Sequence, residues 1–175
     1  MEELAAINWW NTYFGLGGRM IVMIAIGVIF VYIAWTDWRT FRIPNRALYW
    51  LLAAVVCHSL ADPSRNLWER LIGAFCVSVP MFLLAAAFPG SLGGGDVKLM
   101  AVCGILLGWR DCLTAAVLAF ISGGLWASCL LLSGKRGPKS RLAFGPFLIA
   151  ATVTAYFWGE AIRDWYVRTL GGGWL

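Results

Sequence analysis

Long apolar runs separated by short polar segments make up almost the whole chain. Runs at about residues 20–35, 47–60, 71–88, 97–108, 112–132 and 143–158 predict six membrane-spanning helices. The expected class is therefore all-α and polytopic. Pro44 and Asn45 open the second run: proline disfavours helix in the residue before it, and an Asn side chain can accept from the free amides of a first turn. Pro80 predicts a kink in the third. The fourth is only about twelve residues, a rise of about 18 Å against a hydrocarbon core of about 30 Å, so its start is expected to sit in a recess. Trp109, Arg110 and Asp111 form the polar break after it. Residues 1–18 begin with Glu2 and Glu3, unlike the basic start of a signal peptide, and carry Trp9, Trp10, Tyr13 and Phe14, so they read as an interfacial segment. Residues 159–175 read as a tail.

Composition excludes a soluble domain. The chain is 61% hydrophobic and 13% charged, with a mean hydropathy of +0.74, where a soluble domain has about 25% charged residues. Six spans use most of the 175 residues, so residues 1–175 are expected to be one membrane domain. The five cysteines, Cys57, Cys76, Cys103, Cys112 and Cys129, form no CxxC pair, and neither a metal site nor a disulfide framework is predicted. No cofactor is expected. The formal charge of +5 lies in loops between spans, where orientation and anionic lipid account for it. Membrane lipid is the expected partner and nucleic acid is not.

Basic residues orient the bundle. Arg39, Arg42 and Arg46 follow the first span, and Lys135, Arg136, Lys139 and Arg141 follow the fifth without an acid among them. The inside then holds eight of the fourteen basic residues, and the outside seven of the nine acids. Acids count for little under this rule, so the second cluster decides, and both termini are expected outside, in the periplasm.

That parity has a chemical consequence. Asp37 ends the first span, and Asp96 lies in the stretch SLGGGDVKLM between the third and fourth. Counting spans puts both on the cytoplasmic side. A carboxylate at a membrane boundary is costly, which makes it a functional candidate. Two that share a site titrate in separate steps, leaving one acid and one base, enough to activate a water and protonate a carbonyl. Gly93, Gly94 and Gly95 are expected to let backbone approach an extended substrate. Lys98 can reach headgroups or serve the site. Gly145 and Pro146 can start the sixth helix or shape the site. Asp37 has a competing role as an interfacial partner of Arg39 or Arg42, and Asp96 as a helix cap. His58, the only histidine, reads as structural.

Three motifs carry a resemblance. An aspartate is followed by Ile-Pro-Asn (Asp37, Ile43, Pro44, Asn45), then by Gly-x-Gly-Asp-x-Lys-Leu (Gly93, Gly95, Asp96, Lys98, Leu99), then by Phe-Gly-Pro-Phe at residues 144–147. In order and spacing they resemble the type IV prepilin peptidases, over about residues 32–151. The resemblance implies an inner-membrane aspartic endopeptidase that removes short basic leaders from prepilins or pseudopilins at the cytoplasmic face, with Asp37 and Asp96 as the catalytic pair and Pro44, Asn45, Lys98, Gly145 and Pro146 around them. Many members carry a domain with paired CxxC motifs linked to N-methylation. Its absence here makes the chain similar to the short forms of tight-adherence pili, and no methyltransferase activity is expected. An archaeal-type preflagellin peptidase would carry the same aspartates. A small proton-coupled transporter is the alternative of a different class, but its acids belong near the midplane. Ser122 lacks a nearby histidine for a serine protease, and Phe-Gly-Pro-Phe stands where a presenilin-like enzyme has Pro-Ala-Leu.

Overall fold

In the computed structural model, which describes residues 16–62, 65–88, 92–133 and 143–171, every regular element is an α-helix. They are α1 (Leu16–Thr40), α2 (Asn45–Ala61), α3 (Leu67–Cys76), α4 (Ser78–Ala87), α5 (Gly94–Leu132) and α6 (Gly145–Gly171). Three stretches, Gly17–Thr40, Leu67–Ala87 and Gly94–Leu132, are long and apolar enough to cross a membrane. The aromatic N-terminal segment and the basic cluster at residues 135–141 lie outside the described residues.

Local chemistry explains the boundaries, with two corrections. Pro44 is extended (φ −69°, ψ 127°) and caps α2 without a side-chain bond. Its carbonyl accepts the amides of Ala47 at 3.0 Å and Leu48 at 3.4 Å. Asn45 is thus the first helical residue rather than the cap, which frees its side chain for another partner. The third run breaks at Val77 (φ −108°, ψ −39°), so Pro80 falls in the first turn of α4, where its missing amide leaves no bond unmade.

The second correction concerns the polar break. Residues 109–111 are helical, and the interruption is Gly108 alone, at φ 71° and ψ 172°, a backbone that any other residue would adopt only under strain. The chain reverses there. Before Gly108, Gly104 faces Gly73 of α3, and Gly108 itself lies over the Glu69 carbonyl, one turn earlier in α3. Past it, Trp109 and Cys112 return to Cys76, one turn later. α6 gives the same answer. Cys103 lies against Thr152 and Asp37 against Gly145. Asp111 meets Gly159, and Gly123 meets Phe144 and Phe147. The first arm of α5 therefore runs parallel to α6 and the second antiparallel.

α6 continues to Gly171, so much of the expected tail is helix. The packed interior is aliphatic, with Ile33, Leu51, Val55, Leu99, Met100, Leu107 and Leu148 almost wholly buried. Ile21, Ile24, Val28, Trp35, Trp50, Phe82 and Leu83 instead face outward, an apolar surface suited to lipid rather than water.

α3 and α5 meet backbone to backbone at Gly73 and Gly104, where a Cβ on either residue would enter the other's backbone. Gly104→Ala should therefore lower the thermal midpoint in detergent, with an overpacking cost of at least about 1–3 kcal/mol. Gly27→Ala, whose methyl would meet nothing, should leave the midpoint unchanged or raise it. Equal midpoints for the two variants would refute the close-packing account.

Candidate functional site

The reversal at Gly108 sorts polar residues to the two ends of the bundle. One end gathers Asp37, the turn at residues 41–44, the start of α5 and the start of α6. Asp37 and Asp96 are both buried, at 4% and 9% exposure, and near enough to interact electrostatically. The sequence placed them on one face by counting spans; the structure brings them to the same end of one bundle.

Each carboxylate is held at the start of a helix. The Gly145 amide donates to Asp37 Oδ2 at 2.9 Å. This amide opens α6, where no intrahelical acceptor is available and the helix end carries partial positive charge. Pro146, next in line, needs no acceptor at all. Only glycine fits at 145, because a Cβ would lie 2.8 Å from Asp37 Oδ2 and 3.1 Å from its Cγ. Asp96 stands three residues past the Gly93 cap; its own amide donates to the Gly93 carbonyl at 3.0 Å, and its carboxylate lies back against Gly93. Arg39 does not engage Asp37 in the way the competing reading requires: its guanidinium lies over the Trp35 ring at 4.7 Å.

The three glycines differ in their surroundings. Gly94 and Gly95 are already helical, and two of the three make room for a neighbour. A Cβ on Gly93 would lie 2.9 Å from Asp96 Oδ2, and one on Gly95 would lie 2.9 Å from Ile43 Cβ. Gly94 alone has open space beside it, so it is the glycine at which another chain could come close. Lys98 Nζ donates to Asn45 Oδ1 at 3.2 Å, a contact between two motifs that spacing alone did not reveal. The seat of Ile43 on Gly95 has no sequence signal beyond the glycine itself.

The opposite end carries ion pairs instead. Asp111 is buried, with one oxygen 2.6 Å from Arg65 and the other on Arg163. A polar cleft of about 220 Å³ opens here, lined also by Glu69, Arg110 and Glu160. Arg70, likewise buried, reaches Ser59 at 2.9 Å and the Asp62 backbone carbonyl at 2.9 Å. His58 faces the Tyr156 hydroxyl at 3.3 Å, far from the aspartates. Charges of both signs close on one another, so this end ties helices together and has the character of a structural joint. Among the described residues no group of three His, Cys, Asp or Glu side chains could hold a metal ion.

Known proteins resemble this chain over most of its length. The prepilin leader peptidase/N-methyltransferase of Bacillus subtilis (strain 168) is 28% identical over 155 residues, covering 89% of this chain and 62% of the relative. The protein of the same name from Aeromonas salmonicida (strain A449) is 26% identical over 166 residues, 92% of this chain and 54% of the relative. A shorter match to the Legionella pneumophila protein is 33% identical over 76 residues. The chain thus spans between half and two thirds of the length of the first two relatives. No solved structure matches it. Residues 24–128, well over half of the chain and including Asp37, residues 43–45 and Asp96, match the type IV leader peptidase family, and the chain belongs to that family.

Proposed function

We propose that this protein is a membrane aspartic endopeptidase that cleaves leaders from prepilins or pseudopilins, with Asp37 and Asp96 acting on a shared water. The observation that carries the reading is the pair itself: two buried carboxylates at one end of the bundle, each at a helix start. One carboxylate takes a proton from the water, whose oxygen attacks the scissile carbonyl. The other, protonated, gives its proton to the carbonyl oxygen. The resulting gem-diol collapses as the base returns its proton to the leaving amine while a diol hydroxyl gives its proton back to the other carboxylate, and no side-chain nucleophile is needed. Of the two activities in the relatives' names, leader cleavage is the one these residues serve. The turn between α1 and α2 is only residues 41–44 and carries no cysteine pair.

We read the helices as six crossings of the bacterial inner membrane, with both termini outside and the aspartates facing the cytoplasm. The reversal at Gly108 and the three arginines at Arg39, Arg42 and Arg46 support this orientation. The transporter reading loses ground because both acids sit at an end of the bundle rather than along its middle.

Either Asp37→Asn or Asp96→Asn should reduce prepilin cleavage by at least about 10²-fold while leaving membrane insertion intact, as loss of a general acid or base does. A gel-shift assay in proteoliposomes reads this, and near-normal cleavage by both variants would sink the proposal. Gly145→Ala, which pushes a methyl into Asp37, should cost about 10- to 100-fold in rate, whereas Gly124→Ala, with open space at its Cβ, should not. For orientation, a single cysteine introduced at Ser140 in a cysteine-depleted chain should be shielded from impermeant thiol reagents in intact cells. One at Arg168 should be labelled. The reverse pattern would invert the topology.

A further inference from the structure

We propose that Asn45 and Lys98 form a latch that fixes the distance between the two carboxylates, making both positioning residues for the hydrolysis. The proposal rests on the peptidase reading above and concerns how its site is held together. α1, which carries Asp37, packs chiefly on α2 and α6, whereas the start of α5 carries Asp96. α2 and α6 also pack on α5, so helix packing links the two acids indirectly. The turn between α1 and α2 adds a direct connection at the level of Asp96.

That turn is pinned at both ends. Behind, the Phe41 amide donates to the Asp37 carbonyl at 2.8 Å, and Phe41 adopts φ 52°, the left-handed region that a bulky residue enters at a cost. Such a conformation persists where its surroundings over-determine it. Ahead, two contacts dock the chain on α5: Ile43 fills the space that a Gly95 side chain would need, and Asn45 Oδ1 accepts Lys98 Nζ at 3.2 Å. Residues 43 and 45 thus meet residues 95 and 98, on either side of Asp96. The register has one consequence for the site. Sliding the turn along α5 would carry Asp37 with it, and beside the packing of α2 and α6 on α5 the Ile43 seat and the Asn45–Lys98 bond oppose such a slide next to Asp96 itself.

The latch also accounts for two residues with other uses open to them. Asn45 does not cap its helix, because Pro44 holds the cap position. Lys98 is exposed and could reach lipid headgroups, yet its ammonium turns to a side chain on another helix. An exposed hydrogen bond between flexible groups adds little to global stability. Its removal should therefore appear in the rate, where small displacements of reacting groups are amplified.

The test uses the full chain in proteoliposomes with a prepilin substrate. Lys98→Met and Asn45→Ala should each lower kcat by about tenfold or more, with KM within about twofold of the parent. The double variant should be no worse than either single change, as expected of two residues acting through one contact. Asn45→Asp, which keeps the acceptor, should retain most of the rate. Unchanged kinetics would overturn the latch. Additive losses with a raised KM would overturn it too, by making Lys98 a substrate contact. A second measurement is independent of cleavage: spin labels at Arg42→Cys and Gly94→Cys in a cysteine-depleted chain should give a narrow distance distribution that Lys98→Met broadens. An unchanged distribution would refute the latch even if the parent cleaves prepilin. A parent chain that fails to cleave, with the broadening still seen, would fault the peptidase reading and leave the latch standing.

Discussion

The backbone of Gly108 turns the chain back on itself, and both ends of the bundle depend on that turn. A straight helix of the length of α5, 39 residues, would extend about 58 Å, nearly twice the hydrocarbon thickness. It would carry its second arm away from α6. Reversal at a single left-handed residue instead lets both arms lie against α6, one parallel and one antiparallel. Asp96 then comes to the end where α6 begins, and Asp111 to the end where Gly159 leaves room for it. The Gly73–Gly104 contact works with the turn, because backbone-to-backbone approach holds the first arm close to α3.

Polar groups within an apolar bundle must be partnered or placed where their chemistry is used. The two ends solve this differently. At the Asp111 end, a buried acid is closed by two guanidinia, and Arg70 is surrounded by acceptors, so charge is consumed in holding helices together. At the Asp37 end, Asp37 is held by the backbone amide that starts α6, and Asp96 sits in the first turn of α5. An amide holds a carboxylate in place without neutralising it as a guanidinium would, and its oxygen atoms remain available to a water. The same scaffold thus closes Asp111 with arginines at one end and holds Asp37 by a backbone amide at the other.

Much of this was legible without coordinates. The helical class followed from uninterrupted apolar runs, and the common side of Asp37 and Asp96 followed from counting spans between basic loops. The Ile-Pro-Asn, Gly-Gly-Asp-Val-Lys and Phe-Gly-Pro-Phe segments marked where chemistry would lie. The errors were local and instructive. Residues 109–111 read as a loop because their side chains are polar, yet they are helical and the break belongs to the glycine before them. Asn45 read as a cap because of its type, but proline took that position. The three glycines share one expectation in the sequence, close approach to a substrate, but Gly93 and Gly95 make room for Asp96 and Ile43 while Gly94 stands open.

The sequence by itself determined that the chain is helical, roughly which segments form helices and that the paired acids share one end, because hydropathy and charge act along the chain and can be summed in order. Only the tertiary structure decided what holds those acids. The Gly145 amide on Asp37, Ile43 against Gly95 and Lys98 on Asn45 join residues far apart in sequence. No periodicity encodes such pairings, since they exist only once the chain has reversed at Gly108 and brought the helix starts together.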